Sequence, residues 1–196
     1  AASAFEGNTA LEAVDLTGIT GIGDAAFQSS GLKAVTVPSS VTTMGTQVFR
    51  YCYSLADVTY NSPATVSGQS RLFSGTSAVT DLTLNNPNNI SRTITVGSAV
   101  TTLPVAFAQY DIMTTKVVFE GATAISQAAL AAMTRLATIE CKGGQPTGAA
   151  NAVASTTGNA VSGDKKILVP AGQKAAYEAA TPWSSLVGYG YKVEEQ

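Results

Sequence analysis

Apolar residues recur along this chain in one local pattern, apolar-x-x-apolar-x-apolar, at a nearly constant distance. It appears as LEAVDL (Leu11–Leu16), LKAVTV (Leu32–Val37) and LADVTY (Leu55–Tyr60), whose central Val14, Val35 and Val58 stand 21 and 23 residues apart. Weaker copies are VTDLTL (Val79–Leu84), SRTITV (Ser91–Val96), TTKVVF (Thr114–Phe119) and LATIEC (Leu136–Cys141), with Val117 and Ile139 22 residues apart. The residues that follow also repeat: Ile19, Ile22 and Phe27; Val41, Met44 and Phe49; Val100, Leu103 and Phe107; Ala122, Ile125 and Leu130. Successive side chains of a strand point to opposite faces, so Val35 and Val37 turn inward while Thr36 turns outward. The later apolar residues return along the opposite wall, through a short turn that ends in Phe or Leu.

A single unit of this size buries too little apolar surface to offset the ordering of its own backbone, so it folds only when stacked on neighbours. Helical-pair repeats have periods of about 33 residues or longer and are excluded. The spacing fits a leucine-rich repeat best and a parallel β-helix second. Gly23–Phe27 and Ser126–Met133 read as helical turns, the latter with Ser126 as an N-cap. The predicted fold class is α/β: a leucine-rich-repeat solenoid of six to eight layers, with a parallel sheet on one face, short helical or 3-10 turns on the other, and a C-terminal cap. We read residues 1–196 as a single domain, with repeats over 1–141, an irregular loop or degenerate repeat over 142–166, and the cap over 167–196. In the cap, Gln173–Ala180 suits a short helix stopped near Pro182, with Trp183, Tyr189, Tyr191 and Val193 sealing the last layer. The Asn85–Asn89 stretch is either a hairpin turn or part of an extra short repeat.

The segment LKAVTVPSSVTTMGTQVFRYCYSL (Leu32–Leu55) resembles the BspA-type, or Treponema-type, bacterial leucine-rich repeat, matching it at Pro38, Gly45, Phe49 and Cys52. ITGIGDAAF (Ile19–Phe27) carries the same turn, and ILVPAGQKAAYEAATPW (Ile167–Trp183) is similar to a closing element of such proteins. The resemblance implies an extracellular or cell-surface bacterial protein with a non-catalytic, adhesin-like role toward a host or bacterial surface protein or glycan. The alternative is a passive spacer or stalk with no ligand of its own. Phe5 sits where the terminal Phe of an earlier repeat would lie, so the chain reads as beginning inside a longer protein.

Composition narrows the chemistry. Only 12% of residues are charged, against roughly 25% in ordinary domains. Polarity comes instead from hydroxyls, with 25 Thr in the chain. The net charge of −2 leaves no footprint for nucleic acid, and no apolar run reaches the ~18 residues of a membrane span. There is no His, which removes Ser-His-Asp and Cys-His nucleophile systems and the usual zinc site. With no carboxylate pair or cofactor motif either, the reading is that the chain is not an enzyme and that it has no catalytic residues, no metal and no cofactor. Cys52 and Cys141 lie three or four layers apart, roughly 14–19 Å at the spacing of strands, too far for a bridge needing Cα atoms within about 7 Å. They read as buried free thiols.

Two surfaces are candidates for binding. One is the outward row of the strands, Thr36, Thr59, Thr83 and Thr95, continued by Asp15, Val118 and Glu140 and flanked by Lys33, Asp57, Asp81 and Lys116. Threonines also simply suit a solvated sheet face. The other lies after the Phe turns: Arg50, Tyr51 and Tyr53, with Gln109 and Tyr110 at the corresponding place. Arg and Tyr are residue types that dominate binding hot spots, although the same tyrosines would serve to cover the core.

Overall fold

The computed structural model describes residues 1–64, 70–73, 89–154, 156 and 165–196. Stacked layers wind around one apolar interior, and three columns of backbone run along the stack. The front column is a seven-stranded sheet, entirely parallel, in the order β2 (Ala34–Val37), β4 (Asp57–Tyr60), β5 (Arg92–Val96), β7 (Thr114–Phe119), β9 (Thr138–Cys141), β11 (Lys166–Val169) and β12 (Lys192–Glu195). Its register aligns Val35, Val58, Ile94, Val117, Ile139, Ile167 and Val193 in one inward row. A second inward row runs Val37, Tyr60, Val96, Phe119 and Cys141. Val14 precedes the sheet, outside any strand, and packs against the same core. Short strands build the side column: β1 (Gly21–Ile22) pairs with β3 (Thr43–Met44), while β6 (Thr102–Leu103), β8 (Ala124–Ile125) and β10 (Thr147–Gly148) form a second parallel set. This is the predicted solenoid, and its period survives because each inward position meets the equivalent position of the layers above and below.

The back column differs from the helical turns expected at Ser126–Met133. Its residues alternate in role rather than forming a helix. Ala26, Gln28 and Ser30 donate backwards within their own turn, to Gly23, Ala25 and Phe27, whereas Ala25, Phe27 and Ser29 donate to Thr46, Val48 and Arg50 of the next layer. The turn around Leu130 does the same: Ala128, Leu130 and Ala132 donate to Asn151, Ala152 and Ala154. Every second N–H can aim outward along the stack only if φ is positive at intervals, as it is at Ala25, Ser29, Ala128 and Ala132. A helix would have consumed those donors internally. Among the described residues of this column, the one regular turn is a 3-10 helix at Ala150–Val153, beside β10, so residues 147–153 continue the winding. Gly45 lies between side and back columns, where a Cβ would sit 2.3 Å from the Asp24 nitrogen; only glycine fits that approach.

Aromatic rings line the interior behind the back turns. Phe5, Phe27, Phe49 and Phe73 stack with centroids 5.4, 5.7 and 5.6 Å apart and planes within 9°. Phe107 then meets Phe73 edge-on at 75°. At the far end, α1 (Lys174–Ala179) and α2 (Trp183–Gly188) connect β11 to β12. Trp183 is fully buried, edge-on to Phe119, and donates from Nε1 to the Pro146 carbonyl at 2.8 Å. Tyr191 and Val193 are buried as expected of a seal, but Tyr189 is 36% exposed. It sits at the C-terminal boundary of α2, one residue before the left-handed Gly190, and that turn directs it away from the core.

The leucine column contains two polar departures that alter its chemistry. Leu32, Leu55 and Leu136 each stand three residues before an inward Val or Ile; Thr114 takes that place before Val117, and Arg92, its partner in register, stands two residues before Ile94. Arg92 is fully buried. It pairs with Asp111 at 2.8 Å, donates to the Leu55 and Cys52 carbonyls at 2.9 and 3.0 Å, and lies over the Phe73 ring. Asp111 in turn accepts from the Met113 N–H and the Thr114 hydroxyl. The pairing of β5 with β7 shifts register between Arg92 and Thr93, beside this cluster.

Two stability outcomes follow from this packing. Phe49→Ala, in mid-stack, should cost about 3–5 kcal/mol in urea denaturation, whereas Phe5→Ala at the 43% exposed end should cost under ~1.5 kcal/mol. Asp111→Ala, by leaving a buried guanidinium without its counter-ion, should cost about 3–5 kcal/mol in the same assay.

Candidate interaction surface

The strand register determines what the front face presents. Thr36, Thr59 and Thr95 are direct neighbours in one outward row, which continues through Val118, Glu140, Leu168 and Glu194. Thr59 pairs directly with Thr95; Thr83 and Asp81 lie outside the described residues. Beside this row runs another: Ala34, Asp57, Thr93, Lys116, Thr138, Lys166 and Lys192. The face therefore changes along the axis, from hydroxyls to alternating charges. Lys116 pairs with Glu140 at 2.7 Å and Lys166 with Glu194 at 3.1 Å, while Lys142 lies 3.1 Å from Glu120 and 3.9 Å from Glu140. These exposed pairs contribute little stability, but they cancel one another's charge. Val118 is buried despite facing outward. Asp15 sits at the N-terminal edge of this face, where an open cleft of about 390 Å³ runs between residues 13–17 and strands β2 and β4. Hydrogen bonds from Thr17 hold its carboxyl below the usual range.

The second candidate surface lies on the back turns. The Arg50 guanidinium stacks on the Tyr51 ring at 4.4 Å and donates to the Tyr51 hydroxyl at 2.7 Å and to Gln47 Oε1 at 3.1 Å. The Tyr53 ring lies 5.9 Å from that of Tyr51, with planes tilted by 38°, and burial pushes the Tyr53 hydroxyl above its ordinary pKa. Tyr110 lies farther along the stack, beneath Arg71, whose guanidinium is 5.7 Å from its ring. Arg71 was not legible as part of this patch. The available signal was its offset, two residues before Phe73, as Gln47 stands two before Phe49.

Backbone geometry gives these positions further meaning. Gly7, Ser29 and Tyr51 are equivalent, each donating along the stack or standing where such a donor stands, with φ of 72°, 57° and 58°. Tyr110 and Ala132 form another such pair, at 63° and 57°. A left-handed conformation costs a non-glycine residue about 1–2 kcal/mol. The fold accepts Gly, Ser or Ala there, so the tyrosines at 51 and 110 contribute nothing that the backbone requires.

Both thiols are free and buried. Cys52 donates to the Phe27 carbonyl at 3.0 Å and lies 3.4 Å from the Ser30 hydroxyl; burial raises its pKa. Burial pushes the Cys141 thiol up to about 12. Neither is activated. Among the described residues, no helix is long and apolar enough to cross a membrane, and no group of three or more His, Cys, Asp or Glu could hold a metal ion.

The BspA type leucine rich repeat region matches residues 1–100, in six copies. This chain belongs to the BspA-type leucine-rich repeat family. Among solved structures, the BspA-type chain is similar to a leucine-rich repeat protein from Bacteroides ovatus, at 15% identity and a TM-score of 0.39. That match covers 90% of this chain and 45% of the other, so the chain spans about half the length of that protein. No curated protein matches it. BspA-type repeats are generally non-catalytic, serve protein interaction and are typically associated with bacterial surfaces.

The raised Cys141 pKa makes stability depend on pH. The unfolded thiol loses its proton near the ordinary value of 9.0 while the folded one holds it to about 12. Above pH 9.0 the native state therefore binds more protons, and stability falls as pH rises. Denaturation midpoints measured from neutral pH to about pH 10 should decline, and Cys141→Ala should flatten part of that decline.

Proposed function

We propose that this chain is an exported bacterial surface module that binds a host or bacterial surface protein or glycan through the back-turn patch of Arg50, Tyr51, Tyr53 and Tyr110, to which Arg71 belongs. The observation that carries the reading is the presence of bulky tyrosines at left-handed positions that glycine would occupy at lower cost. Side chains kept against the backbone's preference are expected where a surface is used. Arg and Tyr also supply rigid contact area at low entropic cost. The threonine row, Thr36, Thr59, Thr83 and Thr95, is a secondary candidate because it lacks aromatic anchors.

A passive spacer is the second reading, favoured by the self-neutralised charges of the front face. Binding of the purified chain to arrays of matrix proteins and glycans separates the two. A binding module should lose affinity by about 30-fold or more when a tyrosine anchor is removed, the equivalent of ~2 kcal/mol. Tyr51→Gly and Tyr110→Gly should do so while thermal stability stays within about 1 kcal/mol of wild type. No binding above background, with tyrosine variants indistinguishable from wild type, would establish the spacer.

A further inference from the structure

We infer that the Arg50–Arg71 strip recognises an acidic, extended segment of a protein partner, its carboxylates seated on the two guanidiniums and its backbone running along the tyrosines. This rests on the back-turn patch being the binding surface and goes one step further, to the chemistry of the ligand.

Charge is unevenly matched along the chain. Among the described residues, seven ion pairs bring Lys33, Arg92, Lys116, Lys142, Lys166 and Lys174 together with carboxylates of the chain, and neither Arg50 nor Arg71 is in one. Both are half-buried, and the Nε of each is buried with no acceptor. A guanidinium partly withdrawn from water without a counter-ion carries a desolvation cost that an incoming carboxylate relieves. The strip is thus a positive island on a chain of net charge −2, which steers an acidic segment to it.

Geometry favours a peptide over a sugar. Stacking of a pyranose ring needs an open aromatic face, but one face of Tyr51 and one of Tyr110 already carry a guanidinium, and Tyr53 is tilted 38° from Tyr51. The planar guanidiniums suit carboxylates in bidentate fashion. Arg50 is held ready for this by Gln47 and Tyr51. The two arginines occupy successive layers, Phe49 N–H bonding the Leu72 carbonyl between them. An extended peptide presents alternate side chains on one face, so neighbouring acidic side chains can meet both.

The test uses the whole chain, immobilised, against a synthetic peptide of alternating Glu and Ser, its Gln counterpart, and polygalacturonate. We expect the Glu peptide to bind, more weakly as salt rises, and the Gln peptide to bind at least about tenfold less well. Arg50→Gln and Arg71→Gln should each weaken the Glu peptide, and the double variant should abolish it, with unchanged circular dichroism. Equal binding of the Glu and Gln peptides, or arginine variants that bind like wild type, overturns the inference. Arginine-dependent binding of polygalacturonate without binding of the Glu peptide overturns it in favour of an acidic glycan. The two levels separate cleanly. If Tyr51→Gly and Tyr110→Gly lose array binding while the arginine variants keep it, the patch stands and the acidic ligand falls. If neither set matters, the patch itself is refuted.

Discussion

The structure depends on one constraint: the backbone of each layer must be satisfied by the backbone of the next. The front strands, the side strands and the back turns all meet it, each with its own geometry. The front and side columns use ordinary parallel pairing. The back column divides its N–H groups between its own turn and the neighbouring layer, and the left-handed residues are the means of that division. A lone layer would leave most of these groups unpaired, so cooperativity between layers is built in before any side chain is considered.

The same constraint explains where the protein is free to vary. Inward positions are held mostly by apolar residues, with Arg92 and Thr114 as buried polar exceptions, and left-handed positions favour the smallest side chains. Outward side chains on the front strands answer to neither demand, while on the back turns Tyr51, Arg71 and Tyr110 stand at left-handed positions against that preference. On the front face that freedom is spent on threonines and mutually cancelling Lys–Glu pairs. On the back turns it is spent on Arg50, Tyr51, Arg71 and Tyr110, while the layers to either side carry Gln28, Ser29, Ala128 and Ala132 at corresponding places. Arg50, Tyr51, Arg71 and Tyr110 thus concentrate large polar and aromatic groups in the middle of the stack.

Much of this was legible in the sequence. The row through Val35, Val58, Val117 and Ile139 could be read because one face of each strand is buried, so the apolar period maps directly onto register. The burial of Cys52 and Cys141 followed from their places in that period, and that of Trp183 and Tyr191 from the need to cap the last layer. The back turns were not legible in the same way: GDAAF and SQAALAAM have helical composition, and composition does not report the sign of φ. Arg92 was hidden for a different reason. Alternation in SRTITV places it on the inward face with Ile94 and Val96, but the counter-ion that makes an arginine tenable there, Asp111, lies 19 residues away in the chain. The pairing of Arg71 with Tyr110 joins residues 39 positions apart in the chain, a separation that no local pattern reveals. The tyrosine cluster at 51 and 53 was visible because its members are adjacent in sequence.

The Arg92–Asp111 pair carries a consequence for assembly. A stack of near-identical apolar layers has a fidelity problem, since a layer displaced by one step still covers hydrocarbon with hydrocarbon. A guanidinium that needs Asp111 and the Leu55 and Cys52 carbonyls at once has only one seat. Any misthreaded arrangement would strand that charge in a dry interior, at a penalty no alternative contact recovers. The polar intruder thus serves as an alignment key, spending some stability to make the correct order of windings the only comfortable one.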